Sequence, residues 1–174
     1  MTARFRIEPL ADRHERAGFD CGVEPLNRYV RQQVTQDIRR RVTACYAAVA
    51  EESGELAGYY TLASASVDLT ELPEAVAKKL PRYPTVPAVR MGRLAIARRF
   101  AGQGLGATLL ADALARSLRA EIPAFALIVD AKDEQAAAFY RHHGFIALQN
   151  DPLTLFLPLG TAAGLASPGR LRGP

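Results

Sequence analysis

Three glycines spaced two apart, Gly102, Gly104 and Gly106, fall in the run Arg99-Phe100-Ala101-Gly102-Gln103-Gly104-Leu105-Gly106-Ala107, a loop almost free of side chains. If such a loop opens a helix, it is an anion cradle. The first backbone N–H groups of a helix lack intrahelical partners, the helix dipole adds partial positive charge there, and missing Cβ atoms let a phosphate come close. A Gly-rich turn can also join a strand to a helix for conformational reasons alone. Its surroundings argue against two phosphate sites. No Gly-Lys-Ser or Gly-Lys-Thr follows, as a Walker A loop requires. The chain before it is not an N-terminal βαβ start with a correctly placed acidic residue after it, as a dinucleotide fingerprint requires. The pyrophosphate of a coenzyme A remains as the ligand that fits.

The elements that must position this loop lie on both sides of it. Upstream, Ala88 to Ile96 reads as a strand, and downstream Leu105, Leu109, Leu110, Ala113, Leu114 and Leu118 recur at helical spacing. Earlier come a strand near Phe5 to Glu8 and a helix from about Leu26 to Arg40, with Leu26, Tyr29, Val30, Val34 and Ile38 on one side. Strands Thr43 to Ala50 and Leu56 to Val67 flank the hairpin-like turn Glu51 to Glu55. Leu69 to Pro87 is irregular and is punctuated by Pro73, Pro81, Pro84 and Pro87. It has room for a short helix, Glu74 to Leu80, and an exposed tip at Arg82-Tyr83. After the long helix, Ala124 to Asp130 is apolar enough for a strand covered on both faces. A helix from Glu134 to His143 follows, with Gly144 as its cap, and strands near Phe145 to Leu148 and Leu153 to Leu159 close the pattern. Residues 1–160 are expected to form one α/β domain, a mixed central sheet flanked by helices, and residues 161–174 a flexible tail.

At 174 residues the chain can remove roughly 70% of its extended surface from water, so it needs no staple. Cys21 and Cys45 have no CxxC spacing, and the three histidines, two of them the adjacent His142 and His143, give no zinc pattern. No metal is expected. No signal peptide and no run of membrane-spanning length is visible, which points to a cytoplasmic protein. The net charge of +4 is concentrated at Arg39-Arg40-Arg41, at Lys78-Lys79 with Arg82, and at Arg98-Arg99. These clusters are either one surface for an acidic partner or an ordinary solvated face.

The order of strand, Gly-x-Gly-x-Gly loop, helix and apolar strand, followed by Ala138-Phe139-Tyr140-Arg141-His142-His143-Gly144-Phe145, resembles the core of the GNAT acetyltransferase superfamily, whose members bind acetyl-CoA. In that family Arg or Gln usually stands three residues before the first glycine of the closing Gly-x-Gly. Here Ala101 stands there, so one side-chain contact is missing. Further segments resemble the GNAT toxins of bacterial toxin–antitoxin pairs: Phe19-Asp20-Cys21-Gly22, Gln36-Asp37, Gly58 to Leu62, Leu80 to Pro84, Gly92 to Ala95 and Leu155 to Pro158. That resemblance covers roughly residues 5 to 160. It implies acetylation of the α-amino group of aminoacyl-tRNA, a ribbon-helix-helix antitoxin as partner, and a homodimer. The implied acetyl-CoA contacts are Leu94, Ala95, Ile96, Gln103, Gly104, Leu105, Gly106, Ala107, Asp133 and Tyr140. Backbone N–H groups at the end of Leu94-Ala95-Ile96 would meet the oxyanion. Tyr140 would give a proton to the departing sulfur, while gap-filling between helix and sheet suits Phe139 better. The tRNA would meet Arg39, Arg40, Lys78, Lys79, Arg82, Tyr83 and Arg93, with Tyr83 stacking on an unpaired 3′ base. Arg93 could instead pair with a carboxylate.

The chemistry can be checked against this substrate. Acetyl transfer needs a neutral amine, and no Asp or Glu can be placed as its base; Glu71 and Glu74 are remote candidates. A lysine side chain with pKa about 10.4 would demand such a base, whereas a free α-amino group near 7.7 to 8 is already partly neutral. Two other readings share the same cofactor loop. One is acetylation of a small-molecule amine or a protein N-terminus, and the other is a catalytically silent acetyl-CoA-binding module.

Overall fold

The computed structural model of the chain describes residues 4–165. In chain order the elements are β1 (Phe5–Pro9), α1 (Glu24–Arg28), a π-helical segment (Tyr29–Gln33), α2 (Val34–Arg39), β2 (Ala44–Ala50), β3 (Leu56–Asp68) and a 3-10 turn (Leu69–Glu71). There follow α3 (Glu74–Ala77), β4 (Thr85–Ile96), a second 3-10 turn (Arg98–Phe100), α4 (Leu105–Arg119), β5 (Ala126–Asp130), α5 (Glu134–His142), β6 (Ile146–Leu148), β7 (Asp151–Pro158) and α6 (Leu159–Leu165). The strands form one seven-stranded sheet in the order β1-β2-β3-β4-β5-β7-β6. It is mixed: β4 and β5 run parallel, whereas β5 and β7, like β6 and β7, are antiparallel.

Packing divides the chain into two compact units. One holds the described residues up to Ala63 together with Gly92–Ala113, the other Ser64–Met91 together with the described residues from Leu114 onwards. In the first, Tyr59, Tyr60, Val30, Val34, Leu105, Leu109 and Leu110 are buried, so the apolar stripe of α4 forms core as its spacing demands. In the second, Val67, Leu72, Val86, Ala88, Ala126, Ile128, Leu148 and Phe156 form the core, with Val76 and Leu80 packed against it. The proline-punctuated stretch is thus anchored by Leu72, and its tip at Arg82-Tyr83 is left exposed.

Four local expectations are corrected. The first helix is not uniform: Val34 N–H bonds the Tyr29 carbonyl five residues back, a π turn inside an α-helical stretch. α3 ends at Ala77 instead of Leu80, because Pro81 disfavours helical backbone at the residue before it. β4 starts at Thr85 and runs through Pro87, whose carbonyl accepts from Phe125 N–H at 2.8 Å. The chain after Pro158 continues as α6, because Leu159 and Ala162, three apart, both find buried sites. The rest of the expected tail, 166–174, lies outside the described residues.

Candidate active site

The glycine loop has the geometry of an anion cradle. Gly102 and Gly104 take left-handed backbone, with φ of 78° and 77°, and nothing lies within 4 Å of where a Cβ would stand on either. α4 begins immediately after, at Leu105, whose side chain is only 2% exposed. Burial of Leu105, Leu109 and Leu110 therefore holds the helix N-terminus in place, and Leu105 offers a ligand its backbone alone. Gly106 and Ala107 lie in the first turn, where N–H groups are unpaired by construction. These residues suit a pyrophosphate: open space over the backbone, no side chain in the way, and a 15-residue helix behind it.

The strand that leads to the loop is β4. β4 pairs with β5 from Ala88 to Met91 only, yet runs on to Ile96. Leu94, Ala95 and Ile96 therefore lie past the stretch paired with β5, with Ala95 buried and its neighbours half-buried. Arg98 and Arg99, one of the basic clusters, are both exposed and both paired, Arg98 with Asp20 at 3.7 Å and Arg99 with Glu55.

In the other unit, local sequence accounts fully for how Tyr140 is held. Asp133 caps α5 by accepting from Ala136 N–H at 2.8 Å. At the other end Gly144 has φ of 92°, Phe145 N–H bonds the Tyr140 carbonyl at 3.1 Å, and Gly144 N–H bonds the Arg141 carbonyl at 3.0 Å. This is a Schellman closure, and its usual apolar contact is the Tyr140 ring against Phe145, with centroids 5.6 Å apart. Tyr140 is 5% exposed. Burial, and secondarily the charge of Asp130, pushes its hydroxyl above the ordinary tyrosine range, so it stays protonated through physiological pH.

The remaining expected residues divide into exposed and engaged. Arg39 and Arg40 at the end of α2, and Lys78, Lys79, Arg82 and Tyr83 after α3, are all exposed, Tyr83 to 66%. Asp133, implied as a cofactor contact, serves as the α5 cap. The Arg93 guanidinium lies 3.5 Å over the centroid of the Tyr29 ring, in the π segment. Tyr29 is itself fixed by donating to Asp37 Oδ2 at 2.8 Å. No signal in the sequence marks that stacking, since its two residues lie far apart along the chain. Asp130 also escaped notice, though a charge ending an otherwise apolar strand was visible.

The chain thus carries a β4 strand that runs on past its pairing with β5, a glycine cradle that opens a long helix and, in the other unit, a buried tyrosine on a short helix. The model of the acetyltransferase (GNAT) family matches residues 13–145, and the chain belongs to that family. Over 158 residues it is 33% identical to a tRNA-acetylating toxin of Mycobacterium tuberculosis, covering 90% of this chain and 93% of the relative. Among solved structures it resembles AtaT complexed with acetyl-methionyl-tRNAfMet, with a TM-score of 0.86, 32% identity, and 93% and 99% of the two chains covered. It also resembles a Tyr-to-Phe mutant of AtaT bound to the C-terminus of the antitoxin AtaR and acetyl-CoA, with a TM-score of 0.78, 29% identity, and 94% and 98% covered.

Proposed function

We propose that this chain is the toxin of a toxin–antitoxin pair, a single-domain, homodimeric enzyme of the cytoplasm that acetylates the α-amino group of aminoacyl-tRNA and so blocks translation. The observation that carries this reading is likeness along nearly the whole chain to a relative captured with an acetylated aminoacyl-tRNA. A ribbon-helix-helix antitoxin is the proposed inhibitor, and a relative bound to its antitoxin's C-terminus supports an antitoxin as partner. Among the described residues no helix is long and apolar enough to cross a membrane.

Acetyl-CoA, when bound, supplies the acetyl group as an activated thioester. Backbone N–H groups from Gln103 to Ala107 would hold its pyrophosphate, and those at Leu94 to Ile96, past the part of β4 paired with β5, would receive the carbonyl oxygen. A C–N bond forms at the α-amine, the C–S bond breaks, and the amine proton leaves to solvent. The Tyr140 hydroxyl is the donor for the departing sulfur. Its raised pKa keeps that proton in place at every working pH.

The test is incubation with labelled acetyl-CoA and a total charged-tRNA pool, which is expected to place label on the α-amine of the aminoacyl group. Only the neutral amine attacks, so kcat/KM should rise with pH through about 7.7 to 8 and then level off. Because Tyr140 is held above the ordinary tyrosine range, no descending limb is expected below about pH 10. Label on deacylated tRNA, or a fall in kcat/KM between pH 8 and 9, contradicts this assignment.

The exposed basic groups give a second expectation. Replacing Arg39, Arg40 and Arg41, or Lys78, Lys79 and Arg82, by Glu should weaken tRNA binding and leave acetyl-CoA affinity intact. Each lost phosphate contact should flatten the slope of log affinity against log salt by roughly 0.7 to 0.9. Titrations from low to high salt measure it, and unchanged slopes in both variants would return these groups to the ordinary solvated face.

A further inference from the structure

The second unit contains a cavity of about 380 Å³ whose charge is opposite to that of the chain as a whole. It is walled by Glu71, Arg90, Asp130, Asp151 and Thr154 above Ile128, so three carboxylates face one guanidinium in a protein of net charge +4. Such a site repels phosphate and attracts an amine.

Its centre is Asp130, the last residue of β5 and the first past the final β4–β5 pair, Met91 with Val129. Oδ1 of Asp130 accepts from Arg90 Nη1 at 2.6 Å, and Thr154 Oγ1 lies 3.5 Å from the same oxygen. Both contacts fall on Oδ1, which leaves Oδ2 as acceptor for a ligand. Thr154 in turn donates to Asp151 Oδ2 at 2.6 Å. That bond and the Leu153 N–H hold the Asp151 carboxyl below its usual range. The cavity also lies within electrostatic reach of Tyr140, whose hydroxyl responds to the charge of Asp130.

We propose that this cavity binds the free α-amino group of the aminoacyl end, with Asp130 as its carboxylate partner and Arg90 as the residue that positions Asp130. The enzyme thereby distinguishes charged tRNA from deacylated tRNA. This inference rests on the proposed acetylation of aminoacyl-tRNA. Near neutral pH an α-amino group is mostly ammonium, with three donors and a positive charge. A charge-assisted hydrogen bond to Asp130 favours it by about 10- to 100-fold in affinity. Acetylation turns the same nitrogen into an uncharged amide, so the site favours substrate over product and helps release what the enzyme has made.

The test measures binding without acetyl-CoA, using three probes: a total charged-tRNA pool, the same pool chemically N-acetylated, and deacylated tRNA. Wild type should bind the charged pool about 10- to 100-fold more tightly than either other probe. Asp130→Asn should erase that preference while leaving affinity for deacylated tRNA and for acetyl-CoA unchanged. Arg90→Ala should raise KM for charged tRNA with little change in kcat, and Arg90→Lys should restore most of it. Equal affinity of wild type for all three probes, or an undiminished preference in Asp130→Asn, overturns the inference. If wild type acetylates charged tRNA but Asp130→Asn keeps its preference, this inference alone falls. If wild type transfers no acetyl group, the proposed function falls with it.

Discussion

Tyr140→Phe is expected to fold like wild type, bind acetyl-CoA with unchanged affinity, and lose about 10²- to 10⁴-fold in turnover, the usual contribution of a positioned proton donor. The substitution removes one oxygen and keeps the ring that packs on Phe139 and Phe145, so the Schellman closure of α5 survives. Circular dichroism and calorimetry check the first two parts, and labelled acetyl transfer at saturating acetyl-CoA checks the third. The consequence in cells is equally sharp: expression of wild type alone should arrest growth, and Tyr140→Phe at matched level should not. Wild-type turnover in the variant removes Tyr140 from the mechanism, and growth arrest by a variant without turnover removes catalysis from the toxicity.

Gly104→Val is expected to abolish measurable acetyl-CoA binding at concentrations that saturate wild type. Two effects add. A branched side chain in left-handed backbone is a steric outlier, and the left-handed region alone costs an L residue about 1–2 kcal/mol. The open space above Gly104, where no protein atom lies within 4 Å, is where the pyrophosphate must approach, and valine fills it. Gly106→Val separates the two effects, because Gly106 is not among the positive-φ glycines and sits in the first turn of α4. It should weaken binding through lost space with little cost in melting temperature. Gly104→Val should lower that temperature by roughly 2–8 °C, at about 2–4 °C per kcal/mol for a chain of this size. Full affinity in both folded variants would leave these glycines a purely conformational role.

The sequence by itself determined the parts that depend on neighbours along the chain. The glycine cradle, the stripe of α4, the Gly144 cap and the place of Tyr140 at the third position from the end of α5 all follow from spacing of 3.6 residues and from which residue types tolerate positive φ. The α/β pattern was legible for the same reason, and its order of motifs resembled the GNAT acetyltransferases. Tertiary structure decided what depends on partners far apart in sequence. Arg93 meets Tyr29 across 64 positions of chain. Leu159 and Ala162 form α6 because buried sites receive them, whereas composition alone suggested an irregular tail. Asp130 gained a role only when β4 and β7 brought Arg90 and Thr154 beside it, since an electrostatic cavity is a property of side chains converging from separate strands. Local periodicity carries no record of such convergence: register between strands is set by packing, and packing fixes which charges share a cavity.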